Sequence, residues 1–238
     1  MNNLKLYVLY FACSISVNAS SQIDLRDSAI WVAEKVIEAR GGRDYLSTIQ
    51  TFYAEMRTEE DGAPVTWITK EQKPNRGLLQ IVKNGKVVFD SWFDGKNRYY
   101  IVDGVKKEED EPGSTVAQLA RKNIFTELDY VDTTLWTLGL FADEKVNSTE
   151  CFKLKGTFIE GSQRFVYVDK KTFRIIKEER LDKYTGKPVQ TSYYSEFKKF
   201  GKFIFYTRVL FVYPDYSQEV HVTKVLIDEG VSDADFAR

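Results

Sequence analysis

Histidine is nearly missing from this sequence: one residue, His221, in a chain of 238. A zinc site of the usual kind draws on several imidazole or thiolate ligands, so a lone histidine builds none without carboxylate help. A Ser-His-Asp triad would have to use His221, and no Gly-x-Ser-x-Gly elbow accompanies it. The histidine sits in Glu-Val-His-Val-Thr, where alternation sets it opposite Val220 and Val222, on a solvent-side strand face. Cysteine is almost as scarce, at two. If Cys13 leaves with a leader, Cys151 has no partner and no internal disulfide forms. Cys151 precedes Phe152 in a strand-like run, which reads as a buried structural thiol rather than a nucleophile. Charge of one sign is lacking too. With Lys+Arg at 34 and Asp+Glu at 35, the chain lacks the basic excess of a nucleic-acid binder. Phosphate loops and dinucleotide fingerprints are absent, and adjacent carboxylates such as Glu178-Glu179 point to opposite strand faces. These absences make catalysis the minority reading, with no cofactor and no metal expected.

Long apolar runs are confined to the start. Leu6 to Val17 follows Lys5 and has the ~7–15-residue length of a signal-peptide core, too short for the roughly 20 residues of a membrane span. Val17-Asn18-Ala19 offers small residues for cleavage after Ala19. The expected organisation is a signal peptide over 1–19 and one domain over 20–238. Cys13, following Ala12, supplies the alternative: lipidation there would leave a membrane-anchored lipoprotein.

What the chain has is aromatic residues, at 14%, and alternation. Asp27 to Arg40 reads as an amphipathic helix, with Ile30, Ala33 and Ile37 on one side and Gly41-Gly42 ending it. Asp44 to Gln50 reads as a further helical segment. Period-two patterning then predicts about eleven antiparallel strands, beginning near Phe52, Val65, Leu79, Val87, Arg98, Cys151, Arg164, Arg174, Gln190, Phe203 and Glu219. Between the fifth and sixth, Lys106 to Gly113 reads as a charged loop, Ser114 and Thr115 cap a short helix, and Leu128 to Phe141 reads as apolar helical turns over the sheet. So many antiparallel strands curl strongly, and a long helix without a partner helix packs on their concave face. The expected fold is therefore mainly β, α+β in class: a strongly curved antiparallel half-barrel with an N-terminal helix and a helical mid-chain insertion, Val116 to Phe141, over the concave face.

Alternation puts Phe52, Met56, Trp67, Leu79, Ile81, Phe89, Phe93, Tyr99, Ile101, Phe152, Leu154, Tyr194 and Phe197 on one sheet face. An ordinary core accounts for any one of them. Together, under one helix and one irregular segment, they predict more concave surface than lid, leaving an apolar cleft suited to a hydrophobic ligand. Within WFDGKNRYYIVDG, a hairpin turning at Asp94-Gly95 sends Phe93 and Tyr99 inward and Trp92 and Tyr100 outward.

The order of several motifs resembles the LolA/LolB-like outer-membrane lipoprotein carriers and sorting proteins of Gram-negative bacteria, over nearly all of the chain after the leader. The motifs are the helix before Gly41-Gly42, Lys73-Pro74-Asn75, Asp94-Gly95-Lys96, Val168 to Thr172, Tyr194 to Phe197 before Gly201, and Lys224 to Phe236. Each is weak alone; their order carries the likeness. The resemblance implies a half-barrel closed by helices that holds lipoprotein acyl chains or lipid in the periplasm without a reaction. It implies acylated lipoprotein and envelope membrane proteins as partners, a monomer, and a lid contact at Lys73, where the family has arginine. The same half-barrel also hosts enzymes, and a structural envelope protein with a filled groove is the remaining alternative.

Overall fold

The computed structural model describes residues 19–102, 104–108 and 112–237. The expected leader and Cys13 lie outside the described residues. Helix α1 (Ala19–Arg40) and helix α2 (Arg43–Thr48) come first. Strands β1 (Thr51–Glu60), β2 (Ala63–Gln72), β3 (Arg76–Lys83), β4 (Lys86–Phe93), β5 (Arg98–Val102) and β6 (Val105–Glu108) follow. Helices α3 (Pro112–Ala120) and α4 (Thr126–Asp129) lead to β7 (Trp136–Val146), β8 (Thr149–Phe158), β9 (Gln163–Asp169), β10 (Ile175–Leu181) and β11 (Pro188–Ser195). A hairpin of β12 (Lys198–Phe200) and β13 (Phe203–Phe205) precedes β14 (Arg208–Val212), β15 (Ser217–Ile227) and a 3-10 turn at Asp233–Asp235.

Thirteen of these strands form one antiparallel sheet in the order β6-β5-β4-β3-β2-β1-β15-β14-β11-β10-β9-β8-β7. The chain thus finishes at one edge, β6, and resumes at the opposite edge, β7, through α3 and α4. Ala117 and Ala120 of α3 pack into the same cluster as Trp136, so this crossover lies on the concave side. The curl is strong enough for Trp67 of β2 to stack on Phe211 of β14, ring centroids 5.7 Å apart, with β1 and β15 between them in the sheet. The sheet stays open between β6 and β7, which makes it a half-barrel.

Helix α1 buries Ala29, Val32, Ala33, Val36 and Ile37, a stripe at helical spacing, each 3% exposed or less. Trp31 lies beside that stripe, 48% exposed, with its ring edge against Phe152 and Phe173. Gly41 follows because a Cβ there would stand 2.9 Å from the Lys202 carbonyl oxygen, and Gly42 turns the chain at a φ of 89°.

Three sequence expectations need correction here. Lys106 to Glu108 is not loop but edge strand β6, paired with Tyr99 to Ile101. Trp136 to Phe141 is not helical but the start of β7, paired with Lys153 to Phe158. The segment is apolar on both faces because Trp136 and Leu138 meet α1 while Phe141 meets Phe165 edge-on at 5.5 Å, so period two is masked. The run from Phe203 to Tyr213 is two strands, broken at Tyr206 and Thr207, where the Thr207 hydroxyl donates to the Glu196 carbonyl at 2.6 Å.

Candidate functional site: the concave groove

Cross-strand partners share a face, so register alone maps the groove. On the β1–β5 half the concave residues are Phe52, Ala54 and Met56; Glu71, Thr69 and Trp67; Leu79 and Ile81; and Phe93, Ser91 and Phe89. On the β7–β11 half they include Trp136, Leu138, Leu154, Phe152, Arg164, Val166, Glu178, Arg180 and Tyr194.

The two halves are covered differently. Over β7–β9, α1 with Tyr130 and Leu135 closes a core around Trp136, Leu154, Val166 and Val168. Beneath α2 and α4, Phe52, Phe125, Phe203 and Phe205 make a second core, ring centroids 4.8–5.9 Å apart. On β2–β4, by contrast, Trp67, Leu79, Ile81 and Phe89 remain partly exposed. The stacked Trp67 and Phe211 close this half at one end, above fully buried Val65, Val209 and Val220.

Two of the spaces left in the groove share a wall. An inner chamber of about 210 Å³ lies between α1, α4 and the sheet, and its wall sets charged and phenolic groups among Phe52, Ile124, Phe125, Ile175 and Phe205. The Arg40 guanidinium bonds Glu127 and rests against the rings of Phe125, Phe203 and Phe205 at 5.2–5.3 Å. Glu178 accepts from the Tyr130 hydroxyl at 3.3 Å and the Tyr194 hydroxyl at 2.9 Å. Burial, and then the Glu178 charge, push both phenols well above their ordinary pKa, so both stay protonated donors. Burial opposes the charge of Arg164, but Tyr130 and Glu178 beside it hold its pKa above the usual arginine value. Chemically the chamber is a set of neutral phenols and balanced charges that can hold several waters or a small polar group.

Thr69 and Glu71 line this chamber and also an outer cavity of about 640 Å³. The outer wall carries Leu79, Phe89 and Phe93 from β3 and β4, Gln118 from α3, Arg98 from β5 and Arg180 from β10. Burial raises the Glu71 carboxyl, while Arg121 at 3.2 Å and Arg98 draw it back down.

Phe52, Met56, Trp67, Leu79, Ile81, Phe89, Phe93, Phe152, Leu154 and Tyr194 all face inward, but they do not form one patch. Phe52 and Leu154 are in the two closed cores, and Phe152 stacks on Phe173 at 6.1 Å. Phe52 and Tyr194 border the inner chamber, and Leu79, Phe89 and Phe93 border the outer cavity. Three residues are elsewhere. Tyr99 and Ile101 lie on the convex face, paired with Trp92 and Asp90. The cause is the loop: the Asp94 carboxylate accepts from the backbone N–H of Lys96 at 2.7 Å and of Asn97 at 2.9 Å, so four residues turn, one more than Asp94-Gly95-Lys96, and Phe93 pairs with Arg98. A one-residue slip exchanges the faces. Trp92, Tyr99 and Ile101 are instead packed with Leu78 and Phe236. Phe197 leaves the groove because Glu196 adopts a φ of 54°; its ring meets the Arg174 guanidinium at 5.0 Å. Lys73 donates to the Ser47 carbonyl of α2 and, among the described residues, makes no bond to the crossover. The crossover is held by Gln118, which donates to the Asn75 carbonyl at 2.6 Å, and by the Arg121–Glu71 pair.

Sequence reasoning missed the polar chamber. The usable signal was alternation itself: Arg164 shares a face with Val166 and Val168, and Glu71 with Trp67 and Thr69. His221 and Cys151 fall outside the groove. His221 is exposed, its Nε2 2.9 Å from Glu219. Cys151 is buried among Val146 and Tyr167 on the other face, and burial raises its thiol. Among the described residues no cluster of three or more His, Cys, Asp or Glu is placed to hold a metal, and no helix is long and apolar enough to cross a membrane.

No family model and no curated protein matches the sequence. Solved structures do. A DUF1329 family protein from Desulfovibrio piger is 16% identical, with a TM-score of 0.59 over 89% of this chain and 97% of its own. A LolA superfamily protein from Nitrosomonas europaea is 16% identical, with a TM-score of 0.59 over 88% and 97%. A putative outer membrane lipoprotein-sorting protein domain from Vibrio parahaemolyticus is 12% identical, with a TM-score of 0.58 over 89% and 97%. With its open antiparallel sheet and a helical crossover on the concave side, the chain has the LolA-like half-barrel fold.

Proposed function

We propose that this protein is a non-catalytic carrier or binder of a hydrophobic ligand in the bacterial envelope, with lipid or lipoprotein acyl chains as cargo. One observation carries the reading: Leu79 and Phe89, partly exposed, line a cavity of about 640 Å³ on the β2–β4 half of the concave face, while α1 roofs β7–β9. An exposed apolar wall inside a concavity favours an apolar occupant, because each buried methylene contributes roughly 0.8 kcal/mol and no bond need change. The likeness in fold to a putative outer membrane lipoprotein-sorting protein domain supports the same reading. On this reading the protein acts as a monomer in the periplasm, freed from its signal peptide or anchored through Cys13, and exchanges cargo with envelope membrane proteins. Delipidated protein should bind a pyrene-labelled fatty acid saturably, and mass spectrometry of the native preparation should find co-purified lipid. A preparation that is lipid-free and blind to the probe refutes the carrier reading.

The inner chamber favours a second reading, an enzyme on the same half-barrel. Its chemistry would then centre on Glu178, between two phenols and Arg164. Turnover of an amphiphilic substrate that is abolished in Glu178→Gln while probe binding survives would select it.

A further inference from the structure

We infer that the outer cavity is built for the anionic head of a single-chain amphiphile, with Arg180 as its principal contact. The inference rests on the carrier reading and specifies its ligand. Three observations meet at this residue. Arg180 lines the cavity opposite the apolar wall of Leu79, Phe89 and Phe93. Its guanidinium makes no hydrogen bond or ion pair to a carboxylate among the described residues; Tyr213 at the rim is its electrostatic neighbour. Directly across the ladder stands a second guanidinium, Arg164, and across the other ladder the neutral Gln190.

Glu178 already offsets the charge of Arg164 and accepts from Tyr130 and Tyr194, and Glu71 faces both Arg121 and Arg98. Both carboxylates are therefore engaged, and neither pairs with Arg180. A carboxylate or phosphate entering here would meet a forked donor suited to bidentate bonding, with its chain laid along Leu79 and Phe89. Charge-assisted bonds at a rim are screened by salt, so the preference for an anion should shrink as ionic strength rises.

The test uses delipidated full-length protein and displacement of a pyrene-labelled fatty acid by four 16-carbon competitors: palmitate, lysophosphatidylglycerol, lysophosphatidylcholine and monopalmitoylglycerol. The expected result is that an anionic competitor binds about tenfold more tightly than monopalmitoylglycerol. Arg180→Gln should erase that margin without changing monopalmitoylglycerol affinity, and Arg180→Lys should restore part of it. Tighter binding of palmitate identifies a carboxylate head; tighter binding of lysophosphatidylglycerol identifies a phosphate. Equal affinity for all four, or a margin unchanged in Arg180→Gln, overturns the inference and leaves the carrier reading standing. Failure of every competitor and of the probe removes both.

Discussion

The two halves of this half-barrel use the same alternation to opposite ends. On β7–β9 the inward residues are roofed by α1, and Trp136, Leu138, Leu154, Val166 and Val168 are buried to 7% exposure or less. On β2–β4 the inward residues include Glu71, Thr69 and Ser91, and Trp67, Leu79, Ile81 and Phe89 among them stay partly exposed because no helix of comparable length lies over them. The difference lies in what the chain places above each wall, and hydrophobicity of the strands does not reveal it. A roofed wall contributes stability; an unroofed wall contributes a surface with something still to bury.

Substitutions can break that contrast if it is wrong. The largest effect is expected from Trp136→Ala, which empties a site packed by Tyr130 at 5.1 Å, Phe158 at 4.8 Å and the Arg164 guanidinium at 4.9 Å. It should cost about 3–5 kcal/mol in urea unfolding; a loss below about 1 kcal/mol would mean that the roofed half is loosely packed. Next is Glu178→Gln, which removes the charge shared by Tyr130, Tyr194 and Arg164. Breaking a buried charged cluster from one side should cost about 3 kcal/mol. Removing that carboxylate also lowers the raised phenol pKa of Tyr194, so alkaline difference spectroscopy should show a tyrosine ionising earlier; an unchanged titration refutes the contact.

Leu79→Ala sharpens the comparison from the open side. With its side chain already partly exposed, it should lose only about 1 kcal/mol of stability. Binding of an acyl probe, however, should weaken severalfold, and a variant that loses stability without losing binding would place Leu79 with the roofed wall instead. The smallest effect concerns the crossover. The Lys122 ammonium, then Thr134, hold the Asp132 carboxyl down at about 2. A depressed folded-state pKa gives stability that is complete above the unfolded value of about 3.9 and is lost as pH falls towards 2. Asp132→Asn should therefore be roughly 0.5 kcal/mol less stable than the parent at pH 6, with the gap closing by pH 2; a gap that persists at pH 2 would assign the effect to something other than ionisation.

Much of the fold was legible because it depends on local periodicity. The α1 helix, the Gly41-Gly42 stop and most strands follow from patterns a few residues long, and the resemblance in motif order matched the half-barrel found. What escaped was set by single loops or by partners far along the chain. Tyr99 and Ile101 changed face because one carboxylate, Asp94, lengthened a turn. Phe197 left the groove because Glu196 is left-handed. Strand β7 was hidden because both of its faces find apolar company, and the chamber around Glu178 assembles residues from α4, β9, β10 and β11 that no window of sequence contains together.

The docking of the C-terminal segment has a practical consequence. Phe236 sits against Leu78 and Trp92 on the convex face, while Lys70 and Arg76 reach Asp235 and Asp233 at 2.5 Å and 2.7 Å. The groove wall is a single strand layer here, and the segment braces it from behind. A fluorophore or surface tether placed at this C-terminal segment therefore departs from the back of that wall, on the face opposite the cavity lined by Leu79 and Phe89.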